Sequence, residues 1–211
     1  MPAPPRQPVV LHTVIGDLVG SRTAPDRAAL QDALGEALDA VNRGFDPPQP
    51  FEPTVGDEYQ GGCLTLADAA RATLLVRLAL LPTGDTRCGL GHGEVTVHDA
   101  SRRPVLQDGP GWWTARAAIE SLAGGRGHRR TAFVGPGSGS VNAFLLCRDQ
   151  LVERLNDRGL RILRLALLGH AQKEIAEIEQ ITRSAVSQQF SRGVGAIVDA
   201  HTFLDDHAGD T

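Results

Sequence analysis

The sequence predicts an α+β fold: residues 1–140 form a ferredoxin-like antiparallel sheet with helices, and residues 141–211 form an all-α module. Three observations predict it. Up to Val134, strand-like and helix-like segments follow one another as β-α-β-β-α-β-α-β, the order of a split βαβ arrangement rather than a doubly wound sheet. Gly135-Pro136-Gly137-Ser138-Gly139-Ser140 then supports no regular element and reads as a linker. Beyond it, every segment has the spacing of a short amphipathic helix.

The elements follow in order. Val9 to Val14 is apolar and β-branched and breaks at Ile15-Gly16-Asp17, a buried strand that delivers an aspartate to its C-terminal end. Thr23 as a cap, Asp26 three residues on and Pro25 in the first turn predict a helix from about 25 to 43. Its apolar face is Leu30, Leu34, Ala37, Leu38 and Val41. After Pro47, Pro48 and Pro50, Phe51 to Val55 and Tyr59 to Thr65 make a hairpin turned at Gly56-Asp57-Glu58. Leu66 to Leu81 carries Ala70, Leu74, Leu75, Leu78 and Leu81 at helical spacing and stops before Pro82 and Gly84. In the strand from Thr86 to Val97, alternation sets Cys88, Leu90, His92 and Glu94 on one face and Gly89, Gly91 and Gly93 on the other. A face stripped of side chains serves a helix or ligand that approaches the backbone closely, because interior glycines otherwise weaken a strand. Asp108 to Gly111 is a turn, Trp112 to Leu122 a helix and Thr131 to Val134 a last strand. Helices are then expected at Val141 to Leu155, Leu160 to Leu168, Gln172 to Glu179, Ser184 to Arg192 and Ala196 to Leu204.

Composition narrows the function. With 41% hydrophobic and 22% charged residues the chain has ample apolar surface for a core. A formal charge of −4 argues against a nonspecific polyanion binder. The opening MPAPPRQP lacks the plan of a signal peptide, and no apolar run reaches the roughly 18 residues that cross a bilayer, so a cytoplasmic protein without a membrane partner is expected. Cys63, Cys88 and Cys147 are odd in number and far apart, which indicates buried hydrophobes rather than disulfides or zinc ligands. The histidines show no paired helical spacing, so no transition metal is expected.

The segment from Gln172 to Phe190 has the spacing of two helices crossing around a short turn, a helix-turn-helix. Ala176 lies where the helices meet, and Ile175, Ile181, Val186 and Phe190 supply the small core. Thr182 caps the second helix, leaving Arg183, Ser184, Ser187, Gln188 and Gln189 on its exposed side to reach phosphates and base edges of double-stranded DNA. Glu179 stands where leucine is usual and Gln180 where the turn usually has glycine, which suggests a longer or less sharp turn. From Gln150 onward, seven Lys and Arg face nine Asp and Glu, yet Thr182 to Arg192 holds two arginines and no acid, so the local charge suits DNA.

Asp17 ends a buried strand and Asp57, forty residues later, tips a hairpin. In a βαββ arrangement these positions are neighbours, and two close carboxylates repel unless a divalent cation such as magnesium lies between them. Magnesium held so commonly brings a phosphate. Val19, Gly20, Ser21 and Arg22 would lie under that phosphate at the start of the first helix, where free amides and the helix dipole attract anions. Arg22 can add a bidentate contact. Glu58 and Glu94 read as solvated or hydrogen-bonded carboxylates, and at least one of Trp112 and Trp113 as a core residue.

The motifs IGDLVGSR, GDEYQG, RCGLGHGEV, DGPGWWTAR and QKEIAEIEQITRSAVSQQF resemble the SatD family across nearly the whole chain. The first three also resemble class III nucleotide cyclases and GGDEF domains, whose palm-like fold holds two metal ions on two aspartates. The resemblance implies Asp17 and Asp57 as metal ligands, a backbone carbonyl from Leu18, and Arg116 as the catalytic arginine that steadies the transition state. The base-recognising lysine of cyclases falls at Pro53 and the ribose-orienting asparagine at Trp112, and neither substitute can do the same work. The expectation is therefore a homodimeric DNA-binding regulator whose palm binds magnesium and a nucleotide such as ATP or GTP. The alternative is a two-metal cyclase or oligonucleotide synthase with the helical module for recruitment.

Overall fold

The computed structural model describes residues 8–123 and 129–206, so all but the last residue of the opening segment read above for signal-peptide features lie outside the described residues. Its strands are β1 (Val9–Leu18), β2 (Gln49–Pro53), β3 (Glu58–Cys63), β4 (Thr86–Asp99), β5 (Leu106–Asp108) and β6 (Thr131–Val134). Its helices are α1 (Arg27–Phe45), α2 (Leu66–Leu80), α3 (Pro110–Glu120), α4 (Ser138–Glu153), α5 (Asp157–Leu167), α6 (Gln172–Ile178), α7 (Arg183–Gln189) and α8 (Gly195–Asp206). The fold is α+β, as the alternating segments imply.

The sheet runs β2-β3-β1-β4-β5, with β6 also on β4. It is mixed rather than wholly antiparallel, because β6 pairs in parallel with Cys88 to Gly91 of β4. The reason lies in α3: the chain returns to β4 through a helix laid on the sheet, and a helical crossover brings a strand back parallel. β4 is long enough to pair along one edge with both β6 and β5. β5 is three residues within the stretch that reads as loop and turn, too short for alternation to register.

Alternation along β1 divides the core. Val14 and Leu18 join Leu34, Leu38 and Val41 of α1 and Leu74 and Leu78 of α2 on one face. Leu11 and Ile15 join Val95 and, from α3, Trp112, Ala115 and Ile119 on the other. The glycine face of β4 is the bed of α3: a Cβ on Gly89 would meet the Ala115 carbonyl at 2.3 Å, and one on Gly91 would meet the Ala115 amide nitrogen at 2.3 Å. The close-approaching element is thus a helix. On the opposite face Gly16 is crossed by the Tyr59 ring, whose Cζ lies 2.2 Å from where a Cβ would be.

Two local expectations are corrected. Asp26, not Thr23, caps α1, accepting the Ala29 N–H at 2.9 Å, while Ser21 to Thr23 form a separate 3-10 turn. The linker is shorter than its composition suggests: Ser138, Gly139 and Ser140 form the first turn of α4 after Gly137 enters the left-handed region at φ 67°. Their helical state follows from tertiary contact, since Asn142 fastens α4 to β6 by accepting the Phe133 N–H at 2.9 Å and donating to its carbonyl at 2.8 Å.

The apolar core continues from α2 into the terminal helices through Leu145, Ile162, Leu163, Ile175, Val186 and Ile197. In the α6–α7 pair Ile175 and Val186 are fully buried and Ala176 is buried as well. The connection between α6 and α7 runs over four residues, 179–182. Gln180, where glycine is usual, adopts φ 55°, a conformation glutamine takes at a cost that the packing of Ile175 and Val186 offsets. Arg183, Ser184, Ser187 and Gln188 are exposed, whereas Gln189 is buried against Gly159 of α5 and does not belong to the exposed face.

Candidate functional site

The charged residues gather where β1 ends. Cross-strand register sets Glu58 of β3, Asp17 of β1 and Arg87 of β4 side by side in one row. Side chains directly opposite share a face, so this row lies on the α3 side with Ile15. Like charges in that row are separated by private partners. Arg87 donates to both oxygens of Asp17, from Nε at 2.7 Å and Nη2 at 2.8 Å. Arg116, one helix face above, donates to both oxygens of Glu58 at 2.7 and 2.8 Å. The hydrogen bonds to Asp17 hold the Arg87 guanidinium above its ordinary pKa, and those to Glu58 do the same for Arg116.

The hairpin between β2 and β3 is tied to the same place. Leu18 N–H donates to the Asp57 carbonyl at 3.2 Å, and the buried Ser21 hydroxyl donates to the Asp57 carboxylate. Asp57 and Asp17 both act on Arg87 electrostatically. The two aspartates that sequence spacing singles out are therefore brought to one corner, across Leu18. Among the described residues no group of three or more His, Cys, Asp or Glu side chains is gathered as a metal cage.

The segment expected to cradle a phosphate lacks the helix N-terminus that was expected beneath it. α1 begins at Arg27, so Val19, Gly20, Ser21 and Arg22, the last two within the 3-10 turn, precede it and do not sit on its dipole. The Val19 N–H is already spent on the Asp85 carbonyl at 2.8 Å, and Ser21 is spent on Asp57. Arg22 is exposed. Leu18, Val19 and Gly20 instead line a cavity of about 270 Å³ together with Leu122, Arg87, Arg129 and Arg130. These three arginines are the functional candidates that the sequence reading passed over. The Arg129-Arg130 doublet just ahead of β6 was the available signal.

On the other side of Asp17 a larger cavity of about 550 Å³ runs between β3, β5 and α3, with Glu58, Gln60, Trp112 and Arg116 in its wall. Trp112 is core-packed at 7% exposure, while Trp113 is 62% exposed and donates from Nε1 to Asp108 at 2.8 Å. The corner thus offers an apolar cavity, a pair of carboxylates and an arginine-lined cavity in sequence. The Tyr59 hydroxyl beneath it meets Thr86 Oγ1 at 3.1 Å and Cys88 Sγ at 3.0 Å, fully buried, and burial raises both the phenol and the thiol, the thiol to about 12. Neither is a nucleophile at neutral pH.

The family model described as SatD family matches residues 11–132. No curated protein matches the chain. Among solved structures, a bacterial light-regulated adenylyl cyclase is similar at 17% identity over 65% of this chain and 81% of its own, with a TM-score of 0.50. The catalytic core of a rhodopsin-guanylyl cyclase with converted specificity, in complex with ATPalphaS, aligns at 17% identity over 56% of this chain and 75% of its own, with a TM-score of 0.46. The likeness to the first is one of fold: the sheet and its helices form a cyclase-like palm.

Proposed function

We propose that this chain, which belongs to the SatD family, binds a nucleoside triphosphate together with a divalent metal at the Asp17–Asp57 corner and works as a nucleotidyl-transfer palm. The carrying observation is that the Leu18–Asp57 bond brings the two aspartate segments to one corner, where Asp17 is paired with Arg87 of a cavity lined by three arginines, on a cyclase-like palm. The donor chemistry fits magnesium: carboxylates are hard oxygen ligands, and Asp17 and Asp57 with the Leu18 carbonyl would hold it. When bound, such a metal neutralises charge on the transferring phosphoryl group. The chain's own residues position the ligand. Arg116, anchored on Glu58, stands at the wall of the larger cavity where a base and ribose can lie, and Trp112 closes that cavity from within. A pair of chains is part of this reading, and mass measurement in solution tests it.

A second reading has its own observation. α7 presents Arg183, Ser184, Ser187 and Gln188 to solvent with no acid among them, which favours docking to double-stranded DNA. The palm would then sense its nucleotide, acting on DNA only through different affinities for two arrangements of the chain. No helix among the described residues is long and apolar enough to cross a membrane.

Calorimetric titration with ATP and with GTP, each with and without magnesium, tests the proposal on the wild type and on Asp17→Asn. Magnesium-dependent binding lost in the variant is expected, and chromatography of the mixtures then separates turnover from sensing. Absence of binding to either nucleotide would sink it.

A further inference from the structure

We propose that His12 and His92 form a binding site for a divalent transition metal of the zinc type, held by their two Nδ1 atoms on the face of the sheet that looks away from Asp17. The site does not depend on the nucleotide reading above.

The histidines show no pairing along the chain because these two pair across strands. His12 of β1 and His92 of β4 stand directly opposite each other in the antiparallel register. Side chains so placed share a face. Alternation along β1 sets His12 with Val14 and Leu18 on the side of α1 and α2, and Asp17 with Ile15 on the side of α3. β4 agrees: Gly91 and Gly93 press against α3, so His92 between them points the other way.

The ring geometry suits a shared ion. The two imidazole centroids lie 4.5 Å apart, with the planes 40° from parallel. Zinc sits about 2.0–2.1 Å from an imidazole nitrogen, hence about 3.2 Å from the centroid of that ring. Two imidazoles on one metal at a bond angle of about 90–110° therefore have centroids about 4.5–5.2 Å apart, and this pair meets the lower end of that range.

The hydrogen bonding points the same way. Nδ1 of His12 and Nδ1 of His92 are both buried, and neither has a hydrogen-bond partner. Buried ring nitrogens left so are uncommon in folded proteins, and coordination to a metal is one role that satisfies them. The Phe133 ring, 6.3 Å from that of His12, offers them no polar atom. An ion can reach the pair, because both histidines are only half-buried and the next row outward on the same face, Val10 opposite Glu94, is exposed. The Glu94 carboxylate gives that approach a negative charge. Among the described residues no third His, Cys, Asp or Glu gathers with the pair, so water fills the remaining coordination positions. Only the folded sheet presents both rings together, so the ion stabilises the fold.

Zinc is the probe, titrated calorimetrically at about pH 7.5, above the ordinary imidazole pKa. The chain is tag-free and carries Cys147→Ser, which removes the exposed thiol. One ion per chain should bind and raise the melting temperature. His12→Asn and His92→Asn, each added to this parent, should weaken zinc by at least about tenfold, the loss that a change outside the coordination shell alone can give. Melting temperatures without zinc show whether both variants are folded. In long-range 1H–15N spectra of the parent, the Nδ1 signals of His12 and His92 should move on adding zinc while those of the other histidines stay. Asp17→Asn should bind zinc as the parent does, which keeps this result apart from any failure of the nucleotide reading. Unchanged zinc affinity in either folded histidine variant, or stationary Nδ1 signals, overturns the site. Loss of zinc binding in Asp17→Asn also overturns it, since the ion would then lie at the corner.

Discussion

Two arginine–aspartate clusters in this molecule have the same chemistry and opposite character. At the sheet corner Arg87 and Asp17 meet in partial contact with solvent, held to each other side chain to side chain. At the junction of β6 with α4, the Arg148 and Asp149 side chains are 1% and 0% exposed, 2.9 Å apart. There Asp149 also accepts the backbone N–H groups of Arg130 and Thr131, each at 2.8 Å, while Arg148 donates to the Ala70 carbonyl at 3.0 Å and to Thr131. Arg77 adds a second cation at 3.8 Å. The difference teaches that burial and backbone anchorage, not the pairing of charges, separate a structural cluster from one whose partners water can replace. In the first, losing a partner strands a charge away from water, and in the second water replaces the partner.

The sharpest way to break this comparison is to remove one carboxylate from each cluster. Asp149→Ala should lower unfolding stability by about 3–5 kcal/mol, because it leaves Arg148 in the interior and two backbone donors unsatisfied. Asp17→Asn should change it by less than about 1 kcal/mol while abolishing metal-dependent nucleotide binding. Urea denaturation measures both, and equal losses would mean that the corner is structural too.

Acid should act on the buried cluster's neighbourhood as well. His201 of α8 is buried on the Phe144 ring and its pKa is lowered to about 3, by burial first and then by the positive charges of Arg148 and Arg71. His12 is lowered to about 4 by burial and by His92. A base depressed in the folded state takes up its proton mainly on unfolding, so stability is full above pH 6.5 and is lost as pH falls from there toward the folded values. Between pH 6.5 and 5 the loss should be roughly 2 kcal/mol per histidine, and His201→Leu should remove its share from the pH profile.

The smallest effect contrasts neighbours on α7. Gln189→Ala should cost about 1 kcal/mol of stability, because its side chain fills space beside Gly159. Gln188→Ala should leave stability within about 0.5 kcal/mol and weaken DNA retention in a gel-shift assay if α7 is the contact face. A reversed pattern would place the docking face elsewhere.

Local rules carried the reading of the chain a long way. The alternation of Gly89, Gly91 and Gly93 already implied a helix or ligand lying on β4, and α3 lies there at backbone distance. The spacing of Asp17 and Asp57 implied one corner, and the Leu18–Asp57 bond draws their segments together. Where the reading failed, a long-range contact overrode a local preference. Ser138 to Ser140 look like linker, yet the Asn142 bonds to β6 draw them into α4. Gln189 looks solvent-facing by spacing, yet α5 covers it.

By itself the sequence determined the order of the elements apart from β5, the burial of β1 and the residue types available at its end, because periodicity, turn chemistry and strand alternation act over a few residues. Only the tertiary structure decided that Arg87, Arg129 and Arg130 share one cavity, that Arg87 rather than another cation covers Asp17, and that Asp85 stands between Arg77 and Arg130. Those meetings join residues far apart in sequence, through strand register and the parallel return of β6, and no local pattern of arginines specifies which carboxylate each will find.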